Sequence, residues 1–363
     1  MILKTVELKK ILKYTKMCLS SNSLIPILSH ICFKDNKVLV FNGIESLVID
    51  YETGLNCAIP GKLLCDFIED VYSDTIDIIQ MEGKVKVKIG KATAYLEMIP
   101  IDKFIYTQPE TRPEIQISIN NDFIVGMKKC LISASLDNTK INQYGITFNN
   151  NCLYSTDGNR IAKYKLQEEV TSDENFKIML PRGFCEIFNK TISDSACTMS
   201  FSDKYISTKF QINLGEEVTD AETVTKFKNI KLYTELFADV KFLNYEQFTD
   251  ISIDNTDCYL SNDFKNPVNN CNLFLNGLSE KFVEFNITDN IEIKAVGKLG
   301  NYEDILDTKV LVTMGAFKVD VELLKQLLNN VTFIKFIKET NRVVIVGKEG
   351  NYLHLLGSFY IKD

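Results

Sequence analysis

Apolar and polar residues alternate along much of this chain in two rhythms, and the rhythms change places in a regular order. Runs such as Ile76-Asp-Ile-Ile-Gln-Met, Val85-Lys-Val-Lys-Ile and Arg342-Val-Val-Ile-Val carry the period of two expected of strands with one buried face. Between them lie stretches with apolar residues at i, i+3 and i+4, such as Leu323, Leu324, Leu327 and Leu328, which predict amphipathic helices. One block, a short helix followed by two strands, occurs three times. It begins at Ile59-Pro-Gly-Lys-Leu-Leu, at Leu180-Pro-Arg-Gly-Phe-Cys and at Val319-Asp-Val-Glu-Leu-Leu. Pro60 and Pro181 stand near the helix starts of the first two copies, where a missing N–H costs nothing.

A second helix with its own strands precedes each block. These helices are expected at Leu8–Met17, Phe123–Leu131 and, in a more degenerate copy, Leu232–Ala238. Val310-Leu-Val is expected as a strand of the third copy. The resulting architecture is α+β, a tandem threefold repeat with divisions at 1–113, 114–228 and 229–363. The seams fall at Thr107-Gln-Pro-Glu-Thr-Arg-Pro-Glu and around Thr223-Val-Thr-Lys-Phe-Lys.

Composition narrows the class. The 363 residues are 45% hydrophobic and 25% charged, an ordinary balance for a soluble globular protein. No apolar run reaches the roughly 18 residues of a membrane span, and the charged start Met1-Ile-Leu-Lys-Thr-Val-Glu does not read as a secretory leader. The ten cysteines include no Cys-x-x-Cys and mostly sit in apolar runs, so they read as reduced core residues of a cytoplasmic protein. Net charge is −7, which excludes indiscriminate coating of nucleic acid but allows a basic surface confined to one face. The two histidines, His30 and His354, lie in apolar strands and read as structural. No nucleophile elbow, phosphate loop, dinucleotide fingerprint or zinc spacing occurs. The chain is therefore expected to be no enzyme and to need no cofactor or metal. Scattered carboxylates leave a metal-dependent nuclease as a reading to test.

Three segments, in order and on this repeat, resemble the bacterial DNA polymerase III beta sliding clamps. They are Ser23-Leu-Ile-Pro-Ile-Leu-Ser, Ser155-Thr-Asp-Gly-Asn-Arg-Ile-Ala with Asn159 where that family has histidine, and Met179-Leu-Pro-Arg-Gly. The resemblance implies the DNA-clamp fold and a ring closed head to tail by two subunits. It implies a processivity factor that encircles duplex DNA without reading sequence. It also implies a pocket for short linear peptides from DNA polymerase and the clamp loader. A monomeric clamp-fold interaction module that has lost ring closure is the alternative.

On that resemblance, the lysine face of the first helix, Lys9, Lys10, Lys13 and Lys16, is expected to meet phosphates, with Lys128 and Lys129 as its second-repeat counterpart. The peptide pocket is expected from Thr156, Gly158, Asn159, Arg160 and Ile161 together with Leu355 and Leu356. The family's Pro-Asp-Tyr-Arg-Arg-Val segment is matched to Thr219-Asp-Ala-Glu-Thr-Val224, which adds Thr219 and Val224 but lacks the proline, tyrosine and arginines. The homodimer interface is expected at Leu96, on an edge strand at Thr93–Met98, against Leu273 and Phe274.

Overall fold

The computed structural model describes residues 1–363 except 21–24, 105, 107–108, 110–114, 171–175, 193–196, 219–222, 239, 252–257, 341 and 361–363. Seven helices lie among the described residues: α1 (Thr5–Lys16), α2 (Gly61–Glu69), α3 (Asn121–Leu131), α4 (Arg182–Thr191), α5 (Glu246–Thr249), α6 (Ser261–Phe274) and α7 (Val321–Asn330). Apart from the short α5 and two 3-10 turns, strands fill the rest of the order. The order strand, helix, four strands, helix, three strands occurs around α1 and α2, again around α3 and α4, and again around α6 and α7, with a further two-residue strand closing the first and third copies. No helix among the described residues is long and apolar enough to cross a membrane.

The chain forms two compact units, Met1–Asn121 with Gly183–Ala238, and Asp122–Arg182 with Asp239–Asp363. In the first unit a nine-stranded antiparallel sheet is joined at its centre by Thr223–Glu235 pairing with Glu45–Asp50, with Leu232 opposite Leu47. Both leucines are fully buried, each contributing about 1.5–3 kcal/mol of apolar burial. A separate four-stranded sheet runs Ile2–Lys4, Thr75–Gln80, Lys84–Ile89, Ala92–Glu97. In the second unit an eight-stranded antiparallel sheet is joined by Arg160–Lys165 pairing with Tyr352–Gly357, Ile161 opposite Leu355. A five-stranded sheet begins at Gly300–Leu306 and ends at Phe359–Tyr360. Its core is aromatic: Phe285 stacks on Phe317 at 5.3 Å between ring centroids, and Phe264 and Phe336 pack around them. Nine of the ten cysteines are buried, as the apolar runs around them require.

Two expectations from the sequence need correction. The segment Leu232–Ala238 does not form a helix, because its residues through Glu235 belong to the strand Thr223–Glu235. The alternation from Thr225 to Leu232, with Ile230 and Leu232 buried, outweighed the short helical spacing. The helix of that region is α6, whose internal Pro267 and run of asparagines hide it from a periodicity reading. Val310-Leu-Val belongs to the link between the strands Gly300–Leu306 and Gly315–Asp320 rather than to a strand.

Candidate functional site

The turn at Asp157-Gly158 is the most densely hydrogen-bonded feature of the expected pocket. Gly158 has φ +97°, which a side chain would resist. The Thr156 hydroxyl donates to the Arg160 carbonyl at 2.6 Å and accepts from the Gly158 N–H at 3.1 Å. The Asp157 carboxylate accepts from the N–H of Asn159 at 3.0 Å, the N–H of Arg160 at 3.2 Å and the Arg160 guanidinium at 2.8 Å. A second guanidinium nitrogen of Arg160 donates to Gln326 on α7. Arg160 is 8% exposed, so it is a buried strut. Its charge and the burial of His354 together hold that imidazole's pKa down at about 3, burial being the larger cause. His354 faces the Ser133 hydroxyl and the Tyr352 hydroxyl, a structural setting.

Beside this turn the second unit has a cavity of about 520 Å³. Thr156, Gly158, Asn159, Arg160, Ile161 and Leu355 all line it, so the structure brings these six together. Leu356 does not line it; it follows Leu355 on a strand and is fully buried on the other face. Thr219 lies outside the described residues, and Val224 lies in the strand Thr223–Glu235 of the first unit.

One wall is supplied by the segment Leu243-Asn-Tyr-Glu-Gln-Phe, which reading the sequence alone missed. Leu243, Tyr245 and Phe248 line the cavity with Ile251 and Val344. Tyr245 stacks on Tyr154 at 5.0 Å and 13° between planes. Glu246, at the start of α5, accepts from Asn149 at 3.1 Å and Tyr154 at 3.4 Å, which fixes the segment. Burial pushes the Tyr245 phenol up from its usual pKa, so it stays a neutral wall. A signal was available: Phe242-Leu-Asn-Tyr-Glu-Gln-Phe248 carries three aromatics, whereas Thr219–Val224 has none. The cavity is an apolar trough with Asn159, Gln143 and Arg342 among its polar positions, a lining that suits a ligand with an apolar body and a few polar groups. A second cavity of about 390 Å³ shares Asn159, Arg342 and Gly357 with the first and reaches Phe282, Leu323 and Phe359.

Of the candidate DNA-contacting lysines, four lie on α1 and two on α3. On α1, Leu8, Ile11, Leu12 and Thr15 are buried and the lysines face outward. Lys9 donates to the Val71 carbonyl at 2.6 Å, Lys10 to the Asn213 carbonyl at 3.3 Å, and Lys16 pairs with Asp66 at 3.0 Å and Glu69 at 2.9 Å. Those two carboxylates raise the pKa of Lys16. Lys13 is exposed. On α3, Lys128 is exposed, while Lys129 pairs with Glu349 at 3.2 Å and sits over the Tyr352 ring.

Each unit also ends in a sheet edge. Ala92–Glu97 is the last strand of its sheet and Gly300–Leu306 the last of its own. Leu96 on the first edge is buried within the unit, and Tyr95 is the residue turned outward. Leu273 and Phe274 are exposed at the end of α6, with Phe274 5.8 Å from the Tyr302 ring on the second edge.

No protein-family model matches this chain, and no curated protein sequence does. Solved structures do. The DNA polymerase III beta subunit of Thermotoga maritima is similar at 15% identity and TM-score 0.77, covering 99% of both chains. The DNA polymerase III beta chain of Streptococcus pneumoniae TIGR4 is 16% identical at TM-score 0.79, again over 99% of each. The sliding clamp of Pseudomonas aeruginosa bound to griselimycin is 16% identical at TM-score 0.76, over 99% of each. From end to end, the chain has the fold of the bacterial DNA polymerase III beta sliding clamps.

Proposed function

We propose that this protein is a DNA sliding clamp: a non-enzymatic processivity factor that encircles duplex DNA as a head-to-tail homodimer and tethers a DNA polymerase. The observation that carries this reading is the fold likeness, which extends over 99% of the chain rather than over one domain. In this reading the three repeats, 1–113, 114–228 and 229–363, give six per ring. The lysines of α1 and α3 face phosphates loosely, which suits sliding because backbone contacts carry no sequence information. Clamp loader and polymerase peptides enter the 520 Å³ cavity beside Asp157-Gly158. Two unlike sheet edges, one on each unit, suit a heterologous contact that closes into a ring. The setting is the cytoplasm.

The monomeric interaction module draws on Leu96, whose side chain is buried within its own unit. The deciding experiment loads the protein onto nicked circular plasmid, linearises the plasmid and measures what stays bound. A sliding ring is retained on the circle and lost from the linear form. Equal retention on both forms would mean ordinary surface binding and end the clamp reading.

A further inference from the structure

Tyr72 follows α2 on an exposed loop and is 96% exposed, an unusual position for a large ring with no apolar neighbour to cover it. It is not alone. The Lys9 ammonium lies 5.9 Å from its ring centroid and is held there by its 2.6 Å bond to the Val71 carbonyl. Lys9 is also the first residue of a groove of about 270 Å³ between α1 and α2. Leu12, Cys65 and Ile68 are buried beneath this groove and make its floor apolar. Lys9, Lys13 and Lys16 stand along its rim together with Glu69, which pairs with Lys16 at 2.9 Å and so leaves the phosphate to Lys9 and Lys13. Burial pushes the Cys65 thiol up to about 11, so the floor carries no thiolate to repel an anion.

These features fit one kind of ligand. A volume just below the roughly 300–1,000 Å³ of small-molecule sites suits a single flat ring system. Cations around an apolar slot suit a ligand that pairs such a ring with a phosphate. An exposed aromatic beside a fixed cation is the usual platform for stacking a base. We propose that Tyr72, Lys9 and the α1–α2 groove form a site for unpaired nucleotides of a DNA strand, the base meeting the Tyr72 ring and the apolar floor and the phosphate meeting Lys9 and Lys13. The site rests on the clamp reading in that α1 is the helix expected to face DNA. It adds a contact that duplex DNA, with its bases stacked inward, cannot make. A sliding ring would then pause where a strand is unpaired, at a primer end or a gap.

The test compares three fluorescent probes of equal phosphate number: a short oligothymidylate, the same strand made abasic, and a duplex. Binding is measured by anisotropy at several salt concentrations for the full-length protein and for Tyr72→Ala, Tyr72→Phe and Lys9→Gln. The site requires that Tyr72→Ala weaken oligothymidylate about tenfold, in line with alanine substitutions at stacked bases, and change the abasic strand less than twofold. Tyr72→Phe should keep the wild-type preference, and Lys9→Gln should weaken every probe together and flatten the salt dependence. If Tyr72→Ala leaves oligothymidylate binding unaltered, or weakens all three probes equally, the site is refuted. The plasmid-retention experiment reads the clamp itself: retention on circles with an inert Tyr72 removes this site alone.

Discussion

A side chain added at Gly297 would run into the main-chain carbonyl of Phe274 at the end of α6. Backbone cannot move aside as a flexible side chain can, so Gly297→Ala is expected to cost about 1–3 kcal/mol, read as a lower denaturant midpoint at unchanged slope. His354 gives a prediction about pH. Its folded pKa of about 3 lies below the ordinary 6.5, because burial and the Arg160 charge disfavour the imidazolium. Between those values the unfolded chain holds a proton that the folded chain does not, so stability falls as pH drops through that window. His354→Asn should flatten this acid limb between pH 6.5 and 3, measured by denaturation midpoints across pH; an unchanged limb would assign it to other groups. The structural role of this histidine was legible from its apolar strand. Its coupling to Arg160, nearly two hundred residues away in sequence, was not, because only the pairing of Arg160–Lys165 with Tyr352–Gly357 brings them together.

At the scale of elements, legibility followed periodicity. The helices α1, α2, α3, α4 and α7 were readable because each buries an apolar stripe, as Leu324, Leu327 and Leu328 do on α7. α7 also has a cap: Asp320 accepts from the N–H groups of Glu322 and Leu323 at 2.9 and 3.0 Å. Asp320→Ala should cost roughly 0.5–2 kcal/mol in thermal unfolding. Where local propensity and tertiary context disagree, the sequence misleads. α6 forms despite Pro267, with Phe264, Val268 and Cys271 buried beneath it. The pocket wall at Leu243–Phe248 has no periodicity at all. Only the stack of Tyr245 on Tyr154 and the Glu246 hydrogen bonds explain its place. Phe248 is exposed at this wall. Under the proposed function Phe248→Ala should shorten the products of processive primer extension by the cognate polymerase while ring retention on circular plasmid persists. Full-length products would remove this wall from the peptide site.

For the whole molecule, the question is what two unlike edges in one chain are for. The strand Gly300–Leu306 has Ile305 60% exposed and lies beside exposed Leu273, and the strand Ala92–Glu97 has Tyr95 57% exposed. An uncovered apolar edge templates further pairing, and a soluble chain that keeps two of them risks open-ended assembly unless the contact closes. Closure after two copies satisfies these two edges at once. Light scattering should therefore give about twice 41.4 kDa, independent of concentration above the dissociation constant. Leu273→Glu places a charge where a partner strand would dry it, and the unpaired buried charge should drive the mass to that of one chain. Leu273 is exposed in the single chain, so the fold should survive this change, visible as an unaltered thermal transition at low protein concentration. Retention on circular plasmid should vanish with the dimer. A monomeric wild type at every concentration would leave the fold in place and move the interaction-module reading ahead, since a single chain with both edges unpaired cannot encircle DNA by itself.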